Sequence, residues 1–170
     1  DLLDTATAAT SATLDFTSNI SSDYYLYAFV IESIAPATDS VQLRMRTSTD
    51  GGSTFDATGG DYNYSGTEST SGGIVVNYNI GNDYIILCTG VGNATNENVN
   101  GSLSCVNPSG TNYTYFNTHL GRLNNLGAPS TAVGNATRLS AADVDGVRFY
   151  MSSGNIASGT IKLYGCCKPA

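Results

Sequence analysis

Nowhere along the chain does an apolar period of 3.6 residues persist for three turns with a cap at its start. What recurs instead, about every 10–20 residues, is a short alternating or continuous apolar run closed by a cluster of Gly, Asn, Asp and Ser. Ala12, Leu14 and Phe16 alternate with Thr13 and Asp15. Tyr24 to Ile34 is a longer, nearly continuous apolar run and reads as a central strand. Val41, Leu43 and Met45 alternate with Gln42, Arg44 and Arg46, which predicts one buried and one wet face. Further strands are expected at 74–78, 84–88, 101–106 and 113–120. Residues 147–151 and 160–164 flank a loop at 152–158 and read as a hairpin. Residues 140–143 suit one helical turn, with Ser140 as its N-cap. Many short strands without helices predict an all-β fold: a single antiparallel β-sandwich, jelly-roll-like, occupying residues 1–170 as one domain.

Composition agrees with that architecture and narrows the function. Only 12% of the 170 residues are charged, there are 11 Tyr and no Trp, and solubility rests on hydroxyls and amides. The net charge of −7 with seven Lys+Arg leaves no electrostatic footprint for nucleic acid. There is no polybasic patch for an anionic membrane, and no apolar run long enough for a helical span. The first residue is Asp1, and no signal-peptide pattern follows it, so a start that is processed, trimmed or taken from a later residue of the protein is expected.

The sharpest local motif is Ser48-Thr49-Asp50-Gly51-Gly52-Ser53-Thr54-Phe55, an Asp-box. Its physics is a tight turn. The Asp carboxylate accepts backbone N–H groups, Gly supplies positive φ, and Phe55 is expected to plug a hairpin base. Sialidases carry several such boxes on propeller blades, whereas this chain has one box and is too short for a propeller. The arginines such an enzyme would gather, Arg44, Arg46, Arg122, Arg138 and Arg148, are scattered in sequence. Asp50, Asp56 and Asp61 fall short of the six to eight oxygens that Ca²⁺ takes, and Asp143 and Asp145 suit turns better than catalysis. His119 is the only histidine and has no Cys at metal spacing, so it is expected as a strand residue facing solvent or a neighbour. Neither a nucleophile elbow nor a phosphate-cradling Gly loop occurs. No catalytic, cofactor or metal site is therefore expected.

Cys88 and Cys105 fall in predicted strands, as buried thiols or as a bridge between neighbouring strands. Cys166 and Cys167 are adjacent near the end, where neighbours rarely bond to each other, so a bond to another subunit is favoured over reduced thiols. Six sequons, at Asn19, Asn63, Asn93, Asn100, Asn112 and Asn135, are close to the number chance gives and decide nothing.

Several segments are similar to a family of uncharacterised phage and prophage virion proteins, sometimes described as tail-fibre or structural proteins. They are 12–17, 35–40, 46–53, 92–97 and 107–109. The most specific is the ending: Ala142-Asp143-Val144-Asp145-Gly146-Val147-Arg148-Phe149, then 151–156 and 158–165. The resemblance runs in the same order over nearly the whole chain. It implies a particle protein and no known active site. Members typically stop soon after the Tyr-Gly pair, whereas here Cys166-Cys167-Lys168-Pro169-Ala170 follows, which points to a lineage-specific crosslink in an oxidising setting.

The resulting expectation is a non-catalytic structural protein of a bacteriophage virion surface, a capsid decoration or a tail or fibre component, assembled in the host cytoplasm. It needs no cofactor. Its partners are other copies of itself, a trimer being favoured, and capsid or tail proteins. Tyr24, Tyr25 and Tyr27 are candidates for subunit contacts, since Tyr offers area with a polar tip. The alternative is a receptor- or carbohydrate-binding fibre tip that meets a host surface glycan through loops 59–73 and 93–100. A glycan-degrading tailspike is the remoter reading, because the acids are spread over turns and not paired across a groove.

Overall fold

A computed structural model describes residues 1–167. They form twelve strands: β1 (Leu2–Thr7), β2 (Thr13–Phe16), β3 (Leu26–Pro36), β4 (Val41–Ser48), β5 (Tyr62–Thr70), β6 (Gly73–Asn82), β7 (Ile85–Val91), β8 (Val99–Val106), β9 (Thr114–Leu123), β10 (Pro129–Arg138), β11 (Gly146–Met151) and β12 (Ile156–Cys166). The large sheet has the order β1-β12-β3-β8-β9-β10-β5-β6, the small sheet β2-β11-β4-β7. Every pairing is antiparallel. The chain is thus the all-β sandwich that its periodicity predicts.

Period-2 alternation explains how the sheets meet. On β3, Tyr27, Phe29, Ile31 and Ile34 point inward, while Leu26, Ala28 and Val30 are half-buried on the other face. On β4 and β11 the inward sets are Val41, Leu43, Met45 and Val147, Phe149, Met151. Phe16, Phe29 and Phe149 form the centre, edge to face, with ring centroids 5.3 Å (Phe16–Phe29), 6.1 Å (Phe16–Phe149) and 5.3 Å (Phe29–Phe149) apart. Each fully buried ring contributes roughly 1.5–3 kcal/mol of transfer free energy, and the edge-to-face contacts add to it.

Four sequence expectations change. The segments 147–151 and 160–164 do not form a hairpin. β11 pairs with β2 and β4, and β12 with β1 and β3, so the turn between them crosses from one sheet to the other. Both strands carry a strong inward face, and the two faces oppose one another instead of sharing a sheet. The Asp-box turn is likewise a crossing, from β4 in the small sheet to β5 in the large one. No helical turn forms at 140–143. Three strands, β1, β5 and β10, add to the nine predicted. The inward residues of β10 are Ser130, Ala132, Gly134, Ala136 and Arg138, too small or too polar to register as an apolar alternation.

Candidate binding surfaces

The outward face of the small sheet gathers arginines from distant parts of the chain. Arg44 and Arg46 project from β4, Arg148 and Tyr150 from β11, and Asp15 from β2. Arg46 and Arg148 are direct cross-strand partners, as are Arg44 and Tyr150. Arg148 grips Asp15 with two bonds, Nε to Oδ1 at 2.8 Å and Nη2 to Oδ2 at 2.6 Å. Arg46 donates Nε to the Asp83 carbonyl at 2.9 Å and Nη2 to Asp83 Oδ2 at 2.8 Å. Among the described residues Arg44 has no carboxylate partner; its Nε and Nη2 donate to Gln42 Oε1 at 2.8 and 2.6 Å. Each guanidinium also lies over a ring: Arg44 over Tyr84 at 3.8 Å, Arg148 over Phe55 at 3.9 Å and Arg46 over Tyr150 at 5.3 Å. The Asp15 fork holds the Arg148 guanidinium above its ordinary pKa, and burial raises the Tyr150 phenol. Phe55 therefore does not plug a hairpin base but backs Arg148. The scatter of the arginines in sequence hides this face completely.

A second surface lies at the far edge of the large sheet. β6 extends past the small sheet, and none of its residues is buried. Its even face presents Ile74, Val76, Tyr78 and Ile80, between 63% and 77% exposed. The strand carries no charged residue, and its outer backbone edge has no neighbour in the sheet order. Beneath it, Glu68 of β5 accepts Asn77 Nδ2 at 2.5 Å, which ties the edge strand to the interior.

The other predicted residues fall as follows. The Asp-box is internally bonded. Ser48 Oγ donates to Asp50 Oδ1 at 2.8 Å, Thr54 N donates to the same oxygen at 2.8 Å, and Thr54 Oγ1 donates to Asp50 Oδ2 at 2.7 Å. Gly51 and Gly52 take φ of 68° and 82°. Asp56 pairs with Arg138, and Asp61 accepts the Thr58 amide. Asp145 accepts the Gly51 amide, and Asp143 is exposed. Among the described residues no His, Cys, Asp or Glu group is placed to hold a metal. His119 is exposed on β9. Cys88 and Cys105 are buried free thiols in different sheets, on β7 and β8, so they do not bridge neighbouring strands. Cys166 is half-buried and Cys167 exposed; Lys168, Pro169 and Ala170 lie outside the described residues.

Of the three tyrosines proposed for subunit contacts, only Tyr25 is well exposed, at 57%. Tyr27 is fully buried, donating to the Ser21 carbonyl and accepting the Ser21 amide, so it is a core residue. Tyr24 packs edge-on against Tyr27 and donates to Asp1 Oδ2. The inward period of β3, set by Phe29 and Ile31, carries Tyr27 into the core with them. Nothing in the sequence marks β6 as exposed on both sides; its apolar content alone reads as a buried strand.

No family model matches the chain, and no curated protein matches it. Among solved structures, a Bacteroides ovatus mixed linkage glucan GH16 in complex with product is 8% identical, with a TM-score of 0.27, over 94% of this chain and 80% of that one. The full-length tailspike protein 2 of an Escherichia coli bacteriophage, CAB120, is 10% identical, with a TM-score of 0.28, over 97% of this chain and 21% of the tailspike. The Clostridium perfringens CspB protease is 10% identical, with a TM-score of 0.23, over 95% of this chain and 25% of the protease. At these scores none assigns a fold family or a function.

Proposed function

We propose that the chain is a non-catalytic structural protein of a bacteriophage virion surface, built to assemble with further copies of itself through β6. The observation that carries this reading is the uncharged edge strand with four exposed apolar side chains on one face. Edge strands in monomeric proteins are blunted by charges, Pro, bulges or a covering element, because an open edge templates pairing with another chain. β6 has no charge and no Pro, and its one irregularity is a register shift at residues 80–81, opposite Asn63, near the end of the strand. It is also self-complementary. An antiparallel pair centred on Asn77 sets Val76 beside Tyr78 on one face, with Ile74 at one end and Ile80, at the register shift, at the other. Such an interface is two-fold. It favours an even-numbered assembly over the trimer expected from sequence, with the small sheets at the two ends of a continuous large sheet. Cys166 and Cys167 are then available for bonds to neighbouring virion proteins or copies.

Sedimentation of the purified chain tests the assembly step. A dimer that Val76→Lys with Ile80→Lys converts to a folded monomer supports it, and a wild-type monomer at 100-fold range of concentration overturns it. Quantitative mass spectrometry of purified particles tests location. Copies near those of the major capsid protein make it a coating protein, a few tens make it a fibre or tip component, and absence from particles overturns the virion reading.

A further inference from the structure

The arginines on the small sheet's outer face are placed against the interest of the fold. Arg46 and Arg148 stand directly opposite on adjacent strands, roughly 5 Å apart, and like charges so placed weaken a strand pair. Asp83 and Asp15 relieve the repulsion from the flanks, but each occupies only the Nε–Nη2 edge of its guanidinium. Arg44 spends the same edge on a neutral amide. The Nη1 groups of Arg46 and Arg148 make no hydrogen bond among the described residues, and their side chains are 26% and 33% exposed, while Arg44 also faces the Tyr150 hydroxyl.

Among the described residues, the other Lys and Arg side chains are committed to ion pairs. Arg122 and Arg138 are buried in ion pairs with Glu68 and Asp56, and Lys162 pairs with Glu32. Among the described residues, the arginines that reach solvent therefore stand together, on one face of a chain carrying −7 overall. Tyr84, Phe55 and Tyr150 back the three forks and hold them in place. A guanidinium fixed before binding loses little freedom when its remaining N–H groups meet a carboxylate oxygen.

We propose that this face binds an acidic polysaccharide, a chain of repeated carboxylates lying flat across β4 and β11. Three guanidiniums stand against two carboxylates, Asp15 and Asp83, so the face keeps one surplus positive charge for such a ligand, and the open sheet admits a polymer from either end. The site is independent of the β6 interface, so a monomeric β6 variant retains it.

Polygalacturonate serves as the probe and neutral dextran as the control, with affinity measured on the full chain at low and high NaCl. Wild type is expected to bind polygalacturonate, more weakly as salt rises, and not dextran. Arg44→Gln with Arg46→Gln is expected to weaken binding at least tenfold with the circular-dichroism melt retained. Lys162→Gln, which removes one charge from the large sheet, is expected to leave binding unchanged. If the double variant does not fold, Arg44→Gln alone takes its place with an expected loss of about threefold, since its partners Gln42 and Tyr84 are only half-buried. No binding by wild type, equal binding of dextran, full retention in the folded arginine variant, or an equal loss in Lys162→Gln overturns the proposal.

Discussion

Glu68 on β5 and Arg122 on β9 form an ion pair sealed between the two sheets, their side chains 2% and 1% exposed. The pair reaches across β10, where Ser130 and Ala132 are small enough to leave it room. Thr89 of β7 joins it. Its amide donates to Glu68 Oε1 at 2.9 Å and its carbonyl accepts Arg122 Nη2. One carboxylate thus joins β5, β6, β7 and β9. Removing one partner leaves the other charge buried, and Glu68→Ala is expected to lose about 3–5 kcal/mol in urea unfolding. Replacing both by apolar residues, Glu68→Leu with Arg122→Met, is expected to recover most of that loss. A double variant as unstable as Glu68→Ala would show that the network's hydrogen bonds, and not the orphaned charge, carry the stability.

The four thiols divide by depth. Burial pushes the Cys88 thiol up to about 12 and raises Cys105 further still, whereas Cys167 is exposed. Thiolate is the reactive species, so buried neutral thiols stay inert. Titrating the reduced, folded chain with a chromogenic disulfide reagent is expected to show two fast thiols, Cys166 and Cys167, and all four in guanidinium. Rapid loss of Cys88 or Cys105 in native buffer would mean that β7 or β8 opens locally.

Much of the sandwich was legible because its strongest strands obey a period of two. Val41, Leu43 and Met45 predict the buried side of β4, and the alternating Gln42, Arg44 and Arg46 predict its wet side. The interior place of β3 follows from its apolar run. The sheet assignment of β11 and β12 was not legible, since a short turn between apolar strands serves a hairpin and a sheet crossing equally. Nor were the binding surfaces. Arg148 meets Arg46 only because β11 returns from the far end of the chain to lie beside β4. Local spacing carries no trace of such a long-range pairing. The exposure of β6 depends on the small sheet ending at β7, a property of sheet widths and not of any residue.

Gly101 sits in β8 at φ 138°, and a Cβ there would lie 2.2 Å from the His119 carbonyl oxygen and 2.9 Å from Leu120 Cα. Both are backbone atoms of the paired strand β9, which cannot step aside without breaking register. Gly101→Ala is expected to lower stability by at least about 1 kcal/mol, seen as a lower urea midpoint at unchanged slope. Gly121, where a Cβ meets open space, provides the contrast. Gly121→Ala is expected to be neutral or slightly stabilising, and an equal loss at both sites would remove the steric explanation.

Asp50 gives the Asp-box turn an acid-sensitive hold. The Thr54 hydroxyl, then the Thr54 amide and the Ser48 hydroxyl, donate to its carboxylate and keep its pKa below the ordinary 3.8. A carboxyl whose folded pKa is depressed stabilises the fold above its unfolded pKa, and that contribution fades as pH falls through the folded value. The melting temperature of Asp50→Ala is therefore expected to lie below wild type at neutral pH, with the gap constant until the pH approaches 3.8 and narrowing below it. Thr54→Val removes the strongest donor and is expected to lower the neutral-pH melting temperature by less than Asp50→Ala, because the Thr54 amide and Ser48 remain. Since the turn carries the chain from the small sheet to the large one, its loosening should also raise amide exchange at the end of β4, where Ser48 Oγ accepts the Gly52 amide. A gap between wild type and Asp50→Ala that stays constant through the acid range would mean that the turn is held by its backbone and the glycines alone.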